Sequence, residues 1–123
     1  MAANRLAFPK TRRLTQTAEF GQVKQNGRVY RGNFILLSVV RAKSSPFRAG
    51  FITSRAVGGA VVRNRVRRRL REIVRQHQNE IISEIWIVTI ARAAAAQATS
   101  KELEGEWLRL AGRASILADQ CAP

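Results

Sequence analysis

The stretch from Gly58 to Arg75, GGAVVRNRVRRRLREIVR, decides how the rest of the chain is read. On a 3.6-residue period, Val62, Val66, Leu70, Ile73 and Val74 fall on one stripe. That stripe predicts a helix over about Ala60 to Gln76, seated on a sheet by an aliphatic seam. The rest of its surface is cationic. Arg63, Arg67, Arg71 and Arg75 form one i,i+4 row, and Arg65 and Arg69 form a second. Like charges at that spacing cost a helix about 0.2–0.5 kcal/mol per pair, so these pairs together cost roughly 1–2 kcal/mol before screening. Glu72 is the only acid in the segment. A merely solvated face would interleave more Glu, whereas an uncompensated row suits a ladder of phosphates. Asn64, between Arg63 and Arg65, adds a directional donor and acceptor. Gly58 and Gly59 allow close backbone approach of a ligand to the positive end of the helix.

Downstream, IISEIWIVTIA (Ile81 to Ala91) is almost uninterrupted in apolar residues and predicts a strand buried on both faces, inside a sheet. Upstream, Val29 to Val40 is rich in β-branched and aromatic residues and reads as a strand, with Gly32 as a point of interruption. Ser44-Ser45-Pro46 marks a turn, and Arg48 to Ser54 reads as a second strand, expected to pair with the first as a hairpin. Thr15 to Asn26 reads as a helix stopped by Asn26-Gly27, with Phe20 and Val23 on one face. An Ala-rich connector, Arg92 to Ala98, leads to a last helix starting at Thr99, where Glu102 completes a capping box. The stripe of that helix is Leu103, Trp107, Leu110, Ala111, Ala114 and Leu117. The order α-β-β-α-β-α gives an α+β fold: a small mixed sheet of about four strands packed with three helices. Residues 1–13 read as a flexible basic arm, 14–118 as a single domain and 119–123 as a tail.

Composition narrows the function. The chain has 123 residues, enough for one domain, and 46% hydrophobic residues, enough for a core. Lys and Arg number 22 against 8 acids, a net charge of +14. The charge is lopsided: residues 1–75 carry 18 of the basic residues against Glu19 and Glu72, whereas the remainder is slightly acidic. Most of the cations are Arg, the residue suited to bidentate phosphate contact and stacking. The expected partner is a polyanion. RNA fits better than duplex DNA, because unpaired bases stack on Phe, Tyr or Arg planes. A membrane or a calmodulin-like groove would need a broad exposed apolar face, and the narrow aliphatic stripe is claimed by the core.

One Cys, Cys121, excludes an intrachain disulfide and suggests a reducing compartment. With one His, His77, it cannot build a zinc site. No apolar run reaches the roughly 18 residues of a membrane span, and the N-terminus lacks a secretory apolar region. The chain reads as cytoplasmic. Glu19 and Glu72 are far apart in sequence, and the acids of the second half read as helix-surface residues, so no carboxylate cluster for hydrolysis is visible. His77 reads as a partly buried or capping residue, Trp86 and Trp107 as core, and Cys121 as an ordinary thiol. Phe34 and Phe51 fit core or cleft equally. Tyr30, beside Arg28 and Arg31, reads as an exposed stacker, and Arg5, Arg12 and Arg13 fit a free or a docked arm.

FITSRAVGGAVVRNRVRRRLREIVR (Phe51 to Arg75), set between a strand and an apolar strand ending in Ala91-Arg92, resembles the protein subunit of bacterial ribonuclease P, whose hallmark is here Arg63-Asn64-Arg65. The similarity extends to Arg13-Leu14, Glu19-Phe20 and the IVTIAR strand. The resemblance implies a ribosomal-protein-S5-domain-2-like fold with a left-handed βαβ crossover, where general rules favour the right-handed form. It implies a protein cofactor of a catalytic RNA that removes the 5′ leader of precursor tRNA with magnesium ions. The protein itself would hold no catalytic residue, cofactor or metal and need no membrane or obligate protein partner. Its partners would be the ribonuclease P RNA and precursor tRNA.

By resemblance, Arg63, Asn64, Arg65, Arg67, Arg68 and Arg71 would contact the RNA subunit. Phe20, Lys24, Tyr30, Arg55 and Arg92 would line a leader-binding cleft between the first helix and the sheet. The chain departs from its relatives at Lys24, where a second aromatic is common, at Ser54-Arg55-Ala56, at Gly59 and at Arg92-Ala93-Ala94. The alternative functional classes are a non-catalytic basic ribosomal or nucleoid protein and a protein nuclease.

Overall fold

The computed structural model describes residues 12–14 and 17–117. Its elements are α1 (Thr17–Asn26), β1 (Arg28–Arg31), β2 (Ile35–Arg41), β3 (Arg48–Thr53), α2 (Ala60–His77), β4 (Ile85–Ala91) and α3 (Ser100–Arg113). Short 3-10 turns, Gln78–Glu80 and Ala93–Gln97, precede β4 and α3. The four strands form one mixed sheet in the order β1-β2-β4-β3. The α+β class and the three helices agree with the sequence.

The expected hairpin between the Val29–Val40 strand and the Arg48–Ser54 strand does not form. The hairpin is β1 with β2, made by splitting the first strand, and β4 lies between β2 and β3. The cause is the two-faced apolarity of β4. Ile85, Ile87 and Ala91 enter the main core while Trp86, Val88 and Ile90 enter a second one, and only an interior strand has both faces covered. β3 is left at the edge, parallel to β4, and α2 makes the crossover between them.

The two faces are covered unequally. On one, Ile35, Leu37 and Ile87 pack against Val66, Leu70 and Val74 of α2 and Leu103, Trp107 and Leu110 of α3. The indole of Trp107 is fully buried and donates to Thr89 Oγ1 at 3.2 Å. Among the described residues the other face is covered by the ten-residue α1, with Leu14, Val23 and Val88 at its centre and Phe20, Val40, Ile52, Trp86 and Ile90 around them. This one short helix leaves part of the four-stranded face, among the described residues, open as a groove.

The capping box forms as the sequence predicts: Glu102 N–H donates to Thr99 Oγ1 at 3.1 Å, and Thr99 N–H to Glu102 Oε1 at 2.9 Å. α3 ends at Arg113, so Ala114 and Leu117 pack from the segment after the helix, where Ser115 turns the chain at φ +58°. Arg12 and Arg13, expected in a flexible arm, are docked. Leu14 N–H donates to Ala49 O at 2.9 Å, and the Arg12 guanidinium donates to Gln78 Oε1 at 2.8 Å. Arg5 and Cys121 lie outside the described residues.

One acid breaks the expectation that the second half carries its carboxylates on helix surfaces. Glu106 is 7% exposed and accepts from the N–H groups of Asn33 (2.8 Å), Phe34 (2.6 Å) and Ile35 (2.9 Å). This carboxylate shapes the break between β1 and β2. Gly32 abuts it so closely that a Cβ there would sit 2.4 Å from the carboxyl carbon. Hydrogen bonds to a charged group contribute about 1.5–3 kcal/mol each, and their loss here leaves backbone donors without an acceptor. Glu106→Ala is therefore expected to cost roughly 3 kcal/mol or more in urea unfolding, and Glu106→Gln less, because one acceptor oxygen survives.

Candidate nucleic-acid interface

Val66, Leu70 and Val74 are completely buried, which sets the rotation of α2 and decides where every arginine points. The two arginine rows then behave differently. Arg65 donates to Ala96 O at 3.1 Å and Arg69 to Ala98 O at 3.0 Å, tying the helix to the Ala-rich connector. In the other row Arg67 donates to Thr53 Oγ1 at 2.7 Å and to Asn64 Oδ1 at 3.2 Å. Asn64, Arg68 and Arg71 are exposed, and Arg63 is half-buried. Arg75 is paired to Glu72, and the hydrogen bond from Arg75 holds the Glu72 carboxyl below its usual range. Among the described residues, none of Arg63, Arg65, Arg67, Arg68, Arg69 or Arg71 forms an ion pair. The Nε atoms of Arg63 and Arg65 are buried without a hydrogen-bond partner.

On the α1 side lies a groove of about 200 Å³ with an apolar floor of Leu36, Ile52, Val88 and Ile90. Phe20 and Lys24 of α1 and Arg31 of β1 stand on its walls. A second groove of about 210 Å³ shares Phe20 and runs past Gly50 to Arg67 and Arg71 of α2. The apolar floor and the arginine helix are thus joined around the β3 edge. Gly50 makes this possible: a Cβ there would lie 2.4 Å from Phe20 Cε1, so the ring rests directly on the strand backbone. Arg48 anchors the far end of α1 through Glu19 at 2.8 Å and lies 5.9 Å from the Trp86 ring centroid. Trp86 is half-buried in the second core and donates to Ser45 Oγ at 3.0 Å.

The structure brings Phe20 and Lys24 together but not Tyr30. Tyr30 pairs with Leu37 and packs on the main core, so it faces the opposite side of the sheet. Arg31, one residue on, takes the cleft-facing position, which the two-residue strand period would have signalled once the face of β1 was known. Arg55 is exposed in the turn after β3. Arg92 donates to Gly32 O at 2.9 Å and stands just past the end of β4. Both lie at the end of the sheet where Arg31 also lies, beyond the groove itself. Phe34 and Phe51 both pack on the main core.

His77 locks the end of α2 to α3. Its Nδ1 is 2.8 Å from Glu80 and its Nε2 2.8 Å from Glu104, and its ring stacks 6.3 Å from that of Trp107. Burial opposes the charged ring, but the hydrogen bonds to Glu104 and Glu80 and their negative charges outweigh it, and the His77 pKa is raised. Among the described residues no group of three or more His, Cys, Asp or Glu is placed to hold a metal ion, and no helix is long and apolar enough to cross a membrane. A raised folded-state pKa stabilises the fold fully below the unfolded value of about 6.5 and ceases to do so as pH rises through the higher folded value. The urea midpoint is therefore expected to fall across that window, and His77→Ala to flatten this part of the profile.

The sequence pattern of the family described as Ribonuclease P matches residues 8–115. The ribonuclease P protein component of Acidothermus cellulolyticus is 43% identical over 108 residues, covering 86% of this chain and 90% of that protein. That of Syntrophomonas wolfei is 31% identical over 109 residues, covering 89% of this chain and 92% of that protein. In fold, the chain is similar to the Staphylococcus aureus RNase P protein, with TM-score 0.80 at 24% identity over 86% of this chain and 97% of that one. The Thermotoga maritima RNase P protein superposes with TM-score 0.74 at 23% identity, over 82% of this chain and 96% of that one.

Proposed function

Because this chain belongs to the ribonuclease P protein family, we propose that α2 docks on the ribonuclease P RNA and that the groove beneath α1 holds the single-stranded 5′ leader of precursor tRNA. The observation that carries this reading is the set of α2 arginines, Arg75 apart, that have no carboxylate partner among the described residues and that continue around the β3 edge into an apolar groove. RNA phosphates supply the absent counter-charge. Arg63, Arg67, Arg68 and Arg71, with Asn64, form the docking face. Arg65 belongs to it partly, since its guanidinium also holds the connector. In the groove, Phe20 presents a ring for base stacking, while Lys24 and Arg31 meet backbone phosphates. Arg55 and Arg92 extend this positive edge beyond Arg31 at the same end of the sheet, and Tyr30 is not part of it.

In this reading the protein binds and orients, and the RNA subunit performs the cleavage. Magnesium ions in this reading belong to the RNA-containing holoenzyme, and no step runs through a protein-held metal. The compartment is the cytoplasm. A basic ribosomal or nucleoid protein would share the charge but would not stimulate leader removal.

Reconstitution with a bacterial ribonuclease P RNA at low magnesium tests the assignment, with leader removal as the readout. Arg68→Ala with Arg71→Ala is the cleaner variant, because neither side chain has an ion-pair partner among the described residues. If about five phosphates are neutralised, log K against log salt should slope near −3.5 to −4.5, and each deleted arginine should flatten it by roughly 0.7–0.9. Full stimulation by the double variant, or an unchanged slope, would overturn the docking face. Lys24→Ala should weaken binding of leader-bearing tRNA while leaving affinity for the RNA subunit unchanged.

A further inference from the structure

We propose that the sheet face turned away from α1 carries a second RNA-binding groove, one that takes a phosphate–nucleoside unit of single-stranded RNA between the β1–β2 hairpin and the turn after α3. The groove measures about 440 Å³ and is lined by Arg28, Tyr30, Val39 and Arg41 on the hairpin side and Ser83 and Ser115 opposite. That volume lies within the roughly 300–1,000 Å³ of small-ligand sites. It opens on the opposite face from Phe20 and Lys24, so a strand lying in it is not the strand held beneath α1.

The charge arrangement identifies the ligand. Arg28 is paired in register with Val39, which sets Arg41 on the same face one diagonal step away. Diagonal neighbours on a sheet lie about 7–8 Å apart, within reach of two long guanidinium side chains closing on one phosphate. Both arginines are exposed, and neither forms an ion pair among the described residues. Among the described residues, no acid lines the groove. Glu84, next to Ser83, is exposed and does not line it.

Beside the arginines, the body of Tyr30 packs on the main core while its half-exposed ring lines the groove. A ring fixed next to a two-arginine fork has the layout of a base platform beside a phosphate seat. Ser83 and Ser115 bring hydroxyls that suit ribose or base edges. Ser115 is held in place by a left-handed backbone turn, and Ser83 by the neighbouring turn at Glu84, φ +62°. An acidic peptide would satisfy the arginines but give the tyrosine ring no role, so the geometry favours a nucleotide.

The test is an amide-shift titration of the isotopically labelled full chain with inorganic phosphate, uridine 5′-monophosphate, a short oligouridylate and a glutamate-rich peptide. The expected result is saturable shifts at Arg28, Tyr30, Arg41, Ser83 and Ser115. The nucleotide should bind at least about fivefold more tightly than phosphate, the lower end of a base–aromatic stack. Arg28→Gln with Arg41→Gln should weaken both by about tenfold or more. Tyr30→Leu should bring the nucleotide down to the level of phosphate while phosphate binding is retained. Shifts confined to α1 and α2, an unaffected double-arginine variant, or tighter binding of the peptide than of the oligouridylate would each overturn the proposal. Because the readout is the groove's own amides, its failure is distinguishable from a failure of α2 to dock on the RNA subunit.

Discussion

The packing of Val66, Leu70 and Val74 against the sheet is the contact on which the rest depends. These side chains are wholly removed from water, and burial of that kind contributes about 1.5–3 kcal/mol each. The seam therefore outweighs the roughly 1–2 kcal/mol of repulsion among the arginines and holds α2 in one rotational setting. That setting places the arginines on the exposed and half-buried sides of the helix, six of them without a carboxylate partner among the described residues. The cationic face is a consequence of the core, and its rigidity is inherited from it.

The asymmetry of the two sheet faces explains why the interface has two textures. Two long helices close most of one face, and what remains there is a groove of mixed polar and apolar lining. The single short α1 leaves an apolar floor open on the other. A charged helix beside an open apolar floor suits RNA, whose phosphates need cations and whose unpaired bases need flat surfaces. Gly50 joins the two by letting Phe20 sit on the β3 backbone.

Several side chains that look available in the sequence are committed internally. Arg65 and Arg69 hold the carbonyls of Ala96 and Ala98, so the hallmark Arg63-Asn64-Arg65 is partly a structural fastening. Glu106 serves as the template for the β1–β2 break, and Arg92 leans on the same loop through Gly32. The loop, the connector and α3 thus form one braced unit at the end of the sheet where Arg31 and Arg92 stand.

Local pattern determined α2 and its seam, the capping box at Thr99 and a strand covered on both faces within Ile81 to Ala91, because each is written in neighbouring residues; the strand itself begins only at Ile85. Counting residues located the charge and gave the expectation of a polyanionic partner. It could not order the strands. The hairpin expected between neighbouring strands lost to the need of β4 for cover on both faces, a competition settled only when all four strands are present. Nor could it say that Tyr30 and Arg31 point to opposite sides, since the alternation is legible but its phase is not. Glu106 stands beside Trp107 near the apolar stripe, yet its burial depends on backbone donors about seventy positions away in sequence. Contacts between distant parts of the chain decide phase, strand order and the fate of individual charges, and those contacts exist only in the folded molecule.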